Sequence, residues 1–249
     1  MTLKQEIVGA CSHCDPDGFK ADEYGTVCVP CDCLLKFRAY NRLISGGFCQ
    51  NTLDYATASG YNLPMVEEGD PYLTYFLNNI EQVEKDSLGL FIYSNERGRG
   101  KTTLAHYLMY HMAKYLSDLA HYRSTRTYVF EKSSELLKDA RSRKPKELWR
   151  STWYVLDDLG NEDRSNNWSK EAMISVLQDL FQYRRPKGLP IIITSNYSPS
   201  DLSSLYGGVL DSLMEIKADG HIGGSLYKEV KVGGAEDLRT LEENSKWDL

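Results

Sequence analysis

Two hydrophobic periods alternate along this chain. Three short apolar runs read as buried strands: Leu88-Gly-Leu-Phe-Ile-Tyr93, Thr152-Trp-Tyr-Val-Leu-Asp-Asp-Leu-Gly160 and Leu189-Pro-Ile-Ile-Ile-Thr-Ser-Asn196. Each has strand length, carries β-branched or aromatic residues, and stops at polar or turn-forming positions. Thr127–Phe130 and Tyr227–Val232 add two shorter β-prone runs. Between them the period changes to that of a helix. Lys101–Leu119 places Leu104, Leu108, Met112 and Tyr115 on one face, and residues 168–183 turn Ala172, Val176, Leu177, Leu180 and Phe181 inward. A further helix is expected from Ser133, with Glu135 in its first turn, and Ser198-Pro-Ser-Asp201 caps another. Strands alternating with helices predict an α/β core, a parallel five-stranded sheet between helices. Before this core, Leu34–Ile44 has helical spacing and stops at Ser45-Gly-Gly47, residues 48–71 hold scattered turn formers, and Tyr72–Val83 is amphipathic. Only seventeen residues follow Val232, so no C-terminal helical lid is expected.

The first strand runs into Ser94-Asn-Glu-Arg-Gly-Arg-Gly-Lys-Thr-Thr103. A strand, a glycine-containing turn and a Gly-Lys-Thr helix start form the arrangement that grips nucleotide phosphates with backbone N–H groups and the helix N-terminus. Asn95, Glu96, Arg97, Gly98, Arg99, Gly100, Lys101, Thr102 and Thr103 are therefore the candidate ATP-binding residues. Lys101 supplies charge to the β/γ-phosphates, and the Thr102 hydroxyl completes Mg²⁺ coordination. The first glycine of G-x-x-x-x-G-K-T is replaced by Asn95. Asn tolerates positive φ better than other non-glycine residues, so the loop is still expected to form.

The second strand ends in paired carboxylates, the Walker B arrangement. Asp157 is expected to hold Mg²⁺ and Asp158 to polarise the attacking water, a task more often given to Glu. The third strand ends in Thr-Ser-Asn196, placing Asn196 as a sensor of the γ-phosphate or lytic water. His106 and His111 have no spacing partner that points to a metal and read as structural.

Five of the six cysteines fall early, as Cys11-x-x-Cys14, thirteen residues, then Cys28-x-x-Cys31-Asp-Cys33. Two close pairs at this separation match a tetrahedral zinc site of thiolates, with turn signals between them suited to a hairpin. Five thiols compete for four positions: Cys11 and Cys14 are joined by two of Cys28, Cys31 and Cys33, and His13 ranks last. So short a module folds with its metal rather than before it. Cys49 stands apart and reads as a buried hydrophobe. The division is then a Cys-rich zinc module with its linking helix, 1–47, and a nucleotide-binding domain, 48–249.

Composition narrows the setting. The length allows one sizeable α/β domain with a small appendage. No run is long and apolar enough to span a membrane, and no signal pattern opens the chain, so a cytoplasmic protein is expected. The net charge of −6 argues against a protein that coats nucleic acid, but residues 121–150 carry nine Lys/Arg against four Asp/Glu. Such a patch suits a phosphate backbone or a solvated face alike. Arg141, Arg143, Lys144 and Lys146 are its candidate DNA contacts, with Tyr122, Tyr128 and Trp149 nearby and each more often a core residue.

With these motifs in order, Gly89-Leu-Phe-Ile-Tyr93, Gly100-Lys-Thr-Thr-Leu-Ala105, Leu156-Asp-Asp-Leu-Gly160 and Leu189–Asn196, the chain resembles the AAA+ core of bacterial and phage helicase loaders, the DnaC/DnaI group, over roughly residues 85–240. A related pattern occurs in IstB-type transposition ATPases. The resemblance implies ATP-dependent assembly of a homo-oligomer, single-stranded DNA contact by the core, and delivery of a replicative hexameric helicase, with the Cys-rich module engaging that helicase. A degraded scaffold that sequesters the helicase is the third alternative. The resemblance also marks departures. The family's trans-acting arginine is expected near Asp211 or Ser212, where none stands, leaving Arg184 or Arg185 as substitutes; Arg239 matches the sensor-2 arginine. Slow hydrolysis is the expectation.

Overall fold

The structure, a computed structural model, describes residues 3–21, 28–58, 71–118, 127–142, 147–162, 167–209 and 227–233. Its centre is a parallel sheet of β3 (Gly89–Tyr93), β4 (Tyr128–Lys132), β5 (Trp153–Leu159), β6 (Ile191–Ser195) and β7 (Tyr227–Lys231), in the order β4-β5-β6-β3-β7. Near-continuous apolar strands suit a sheet covered on both faces. Period-two alternation divides the strands between two cores. Leu90, Ile92, Trp153, Val155 and Ile192 pack with Leu104, Leu108 and Met112 of α6 (Lys101–Asp118). Phe91, Tyr154, Leu156, Ile191 and Ile193 pack with Met173, Leu177, Leu180 and Phe181 of α8 (Asn167–Arg184). Two further helices, α7 (Ser133–Ser142) and α9 (Pro199–Tyr206), follow β4 and β6; the Ser198–Asp201 capping box opens α9 as its sequence predicts.

Strand order sets the geometry of the sheet's carboxyl edge. β6 lies between β3 and β5, so its polar C-terminal end is inserted between the strand that leads into the glycine-containing loop and the acid-bearing strand. In open α/β sheets this edge is where ligands bind.

The N-terminal part holds α1 (Leu3–Ile7), an antiparallel pair of β1 (Phe19–Ala21) and β2 (Cys28–Pro30), and α2 (Asp32–Ser45). Ala39, Tyr40 and Leu43 of α2 belong to the same apolar cluster as α6. Tyr40 meets Tyr110 edge-on at 5.7 Å, Asp32 pairs with Lys114 at 2.6 Å, and Arg42 Nη1 donates to Ser117 Oγ at 3.0 Å. At the end of α2, Phe130 N–H donates to the Gly46 carbonyl at 2.8 Å, and a Cβ on Gly46 would stand 1.9 Å from the Tyr128 carbonyl oxygen. Only glycine allows that approach.

Several expectations are corrected. Residues 48–71 contain a helix, α3 (Gln50–Thr57), with Leu53 and Ala56 buried. The stretch 72–83 is two helices, α4 (Pro71–Asn78) and α5 (Ile80–Lys85), because Asn79 leaves helical geometry at φ −130°. Tyr115 does not share the buried face of α6: the apolar stripe shifts to Met109, Ala113 and Leu116, and Tyr115 is 44% exposed, donating to Glu81. Cys49 is exposed at the N-cap of α3 rather than buried, and the Thr52 backbone N–H pulls its thiol below the usual range. No helix among the described residues is long and apolar enough to cross a membrane.

Candidate nucleotide-binding site and cysteine cluster

The loop between β3 and α6 closes on itself. Gly98 and Gly100 both take φ of 79°, the left-handed region that glycine occupies without strain. Asn95 is not among the positive-φ residues, so the missing first glycine is not needed at that position. Glu96 N–H donates to Ser94 Oγ at 3.3 Å, and Lys101 Nζ donates to the Glu96 carbonyl at 3.1 Å. Arg99 pairs with the Glu96 carboxylate. Lys101 itself is buried, and α6 begins at it, so its ammonium lies in the field of the helix N-terminus.

The acids sit at an irregularity. Pairing between β5 and β6 shifts between Leu156 and Leu159, a bulge that holds both carboxylates, and Asp158 adopts φ 60° there. Bulges near sites re-aim side chains, and left-handed non-glycine residues cluster at functional positions. Asp157, 3% exposed, accepts from Thr102 Oγ1 at 2.8 Å and from Thr194 Oγ1 at 2.6 Å. Burial raises its carboxyl pKa above the usual value, while the two hydroxyl donors pull the other way. Asp158 accepts from Asn196 Nδ2 at 3.0 Å and Asn161 Nδ2 at 2.8 Å, its N–H donates to Thr194 Oγ1 at 2.9 Å, and its carbonyl accepts from Ser133 Oγ at 2.9 Å.

These groups line one cavity of about 270 Å³ with Arg97, Gly98, Arg99, Gly100, Lys101, Thr102 and Thr103. Lys132, Asn161 and Thr194 line it too, and the motif spacing does not single them out. Thr194 is legible in principle within the polar end of the Leu189–Asn196 run, whereas Lys132 lies two residues beyond the Thr127–Phe130 run. Asn161 enters only because the bulge turns the chain back. Arg97, Arg99, Lys101 and Lys132 line it with Asp157 and Asp158; with Arg99 paired to Glu96 the balance stays positive, which suits a polyanion carrying a divalent cation. Thr102 and Asp157 are the hard oxygen donors that would hold Mg²⁺, which would supply charge neutralisation of the phosphates.

His106 braces this site from behind. It is 1% exposed, its Nδ1 lies 2.8 Å from the Thr102 carbonyl, and Cys49 N–H donates to its Nε2 at 3.3 Å. A carbonyl can only accept, so Nδ1 carries the proton and the ring is neutral. Burial lowers its pKa to about 4. Its role is to fix the backbone behind Thr102.

No protein-family model matches the sequence, and no curated protein matches it either. Solved structures do match. One, described as the DnaC helicase loader, superposes with a TM-score of 0.52 at 21% identity, over 74% of this chain and 100% of that one. DnaI superposes with a TM-score of 0.53 at 18% identity, over 76% and 93%. The chain shares the fold of these two proteins. At these identities the likeness shows the fold alone, and the chemistry rests on the residues just described.

Arg184 is not a substitute for a trans-acting arginine. It is fully buried, with Nη1 donating to the carbonyls of Trp149 and Ser151 at 2.8 Å each, Nη2 donating to Thr152 O at 3.2 Å and Pro190 O at 2.8 Å, and the guanidinium 5.3 Å from the Tyr154 ring. It ties the end of α8 to the starts of β5 and β6. Tyr128 is a core residue, 2% exposed, and Trp149 packs against the α8 core. Arg143, Lys144, Lys146, Tyr122, Asp211, Ser212 and Arg239 lie outside the described residues, as does the side chain of Arg141 on α7.

At the N-terminal end, the sulfurs of Cys11, Cys14, Cys31 and Cys33 all lie within 4.8 Å of one another. Cys11 and Cys31 are 3.9 Å apart, and Cys14 and Cys33 are 3.3 Å apart. Four converging thiols are the donor set of a structural zinc site. Burial raises the Cys14 and Cys33 thiols, whereas the Cys33 backbone N–H lowers Cys31. The side chain of Cys28, on β2, lies outside the described residues. His13 lines the neighbouring cavity and is not in the cluster.

Proposed function

We propose that this chain is an ATP-dependent loader of a replicative ring helicase. In this reading the AAA+ core binds Mg·ATP and single-stranded DNA, ATP drives assembly into a homo-oligomer, and the N-terminal module, held by zinc on four cysteines, engages the helicase. The observation that carries the reading is the convergence of Lys101, Thr102, Asp157, Asp158, Thr194 and Asn196 on one polar cavity. The AAA+ fold supports it, as does the name helicase loader borne by one structural relative. Lys101 grips phosphate, Thr102 and Asp157 hold the metal, and Asp158, fixed by Asn161 and Asn196, orients water. Arg141, Arg143, Lys144 and Lys146 remain the proposed DNA contacts, and Arg239 a proposed phosphate contact.

Co-purification with a hexameric replicative helicase, with and without ATP and with and without a zinc chelator, tests the proposal. Capture that requires zinc, and assembly that requires ATP and is abolished by Lys101→Ala, is the expected result. Capture indifferent to Lys101→Ala would support the scaffold reading instead. One observation favours that second reading: Arg184 is committed to internal carbonyls and is unavailable to a neighbouring subunit. Slow turnover, below about 1 s⁻¹, is common to both.

A further inference from the structure

A cation that the P-loop motif does not contain stands at the far side of the cavity. Lys132 is the last residue of β4, the strand at the sheet edge, and its register partner on β5 is Asp157. Tyr128 and Phe130, which share its side of the strand by alternation, pack with the α6 core, so Lys132 stands on the same face as the start of α6. It lines the cavity that Thr102, Asp157 and Asn196 line. Among the described residues no carboxylate lies within ion-pair distance of its ammonium.

We propose that Lys132 is a phosphate ligand in cis, placed to contact the terminal phosphate of a bound nucleoside triphosphate. This rests on the nucleotide-binding reading above and adds a residue to it. The strand order assigns the phosphate. The loop amides and Lys101 emerge at β3 and reach the phosphates from that side, with Lys101 extending to the β/γ-phosphates. Lys132 emerges three strands away in the order β4-β5-β6-β3, beyond Asp157, where only the outer end of the phosphate chain reaches. A Lys head group acts there as a point charge and needs no fixed fork geometry. Its presence also bears on the missing trans arginine: positive charge at the terminal phosphate comes from the same subunit.

The test compares Mg·ATP and Mg·ADP affinities by competition against a fluorescent nucleotide, for the full chain, Lys132→Met, Lys132→Arg and Lys101→Ala. Losing one charge-assisted contact is expected to weaken ATP binding by about tenfold or more while changing ADP binding by less than about twofold, with Lys132→Arg close to wild type. Lys132 is exposed, so an unchanged melting temperature is expected and shows that the fold is intact. If Lys132→Met leaves the ATP-to-ADP preference unaltered, this assignment fails while the nucleotide reading stands. Equal loss of both nucleotides likewise overturns the terminal-phosphate role. If the wild-type chain binds neither nucleotide, the underlying reading fails instead.

Discussion

Thr194 donates a 2.6 Å hydrogen bond to Asp157, across the boundary between β6 and β5. The same Thr194 oxygen accepts from the Asp158 N–H, and Thr102 of the phosphate loop reaches Asp157 from the other side at 2.8 Å. Thr102, Asp157 and Thr194 are thus joined by direct hydrogen bonds. The arrangement costs stability, because Asp157 is desolvated.

Asp157→Asn is therefore expected to stabilise the nucleotide-free protein. The raised carboxyl pKa means that the folded state binds protons more readily than the unfolded one, so stability falls as pH rises from the ordinary carboxylate value through the folded one. An asparagine keeps an oxygen to accept from Thr102 and Thr194 without the buried charge. The expected signature is a melting temperature a few degrees higher near neutral pH, about 1 kcal/mol, together with loss of Mg²⁺-dependent nucleotide binding. A lower melting temperature would contradict the desolvation cost assigned to this carboxylate.

His106 predicts the acid limb of stability. Its folded pKa, about 4, lies below the ordinary histidine value of 6.5, so the unfolded chain takes up a proton first as pH falls. The stabilisation is complete above about pH 6.5 and is lost between there and pH 4, amounting to about 3 kcal/mol at most. Denaturant titrations at stepped pH should show this slope in the wild type and a shallower one in His106→Gln.

Cysteine substitutions should separate the fifth thiol from the four that meet. Metal analysis is expected to find one zinc per chain, lost in Cys14→Ser and Cys31→Ser and retained in Cys28→Ser. Because burial raises the Cys14 and Cys33 thiols, binding must displace protons, and zinc affinity should fall steeply with acid. Retention of zinc by Cys14→Ser would refute the assignment.

Arg184→Met should act on stability rather than on cooperation between subunits. It leaves the carbonyls of Trp149, Ser151, Thr152 and Pro190 without their donor, at a cost of about 3 kcal/mol or more. Mixing the variant with Lys101→Ala chains should show no rescue of ATP turnover of the kind expected from a finger supplied in trans.

Much of the fold was legible because long parallel strands announce themselves: Gly89–Tyr93, Trp153–Leu159 and Ile191–Ser195 are buried on both faces and have no polar alternation to confuse them. The turn between β3 and α6 was legible because its glycines are bound to one local geometry. What escaped depended on distant partners. Gln50–Thr57 looks like loop until Leu53 and Ala56 find the core, and Tyr115 keeps helical phase but slips off the buried stripe near the end of α6. Lys132 and Asn161 became site residues through strand order and a bulge, neither of which is encoded in spacing. Arg184 reads from sequence as a candidate substitute for the trans-acting arginine, because nothing local foretells the carbonyls that surround it.

The packing of α2 against α6 has a practical side. Deleting residues 1–47 would do more than remove a metal-bearing arm. It would strip Ala39, Tyr40 and Leu43 from a shared greasy flank and leave the ring of Tyr110 facing water. A truncated protein prepared that way should be sticky and prone to self-association, because α2 joins the cysteine end to α6, the helix that opens at Lys101.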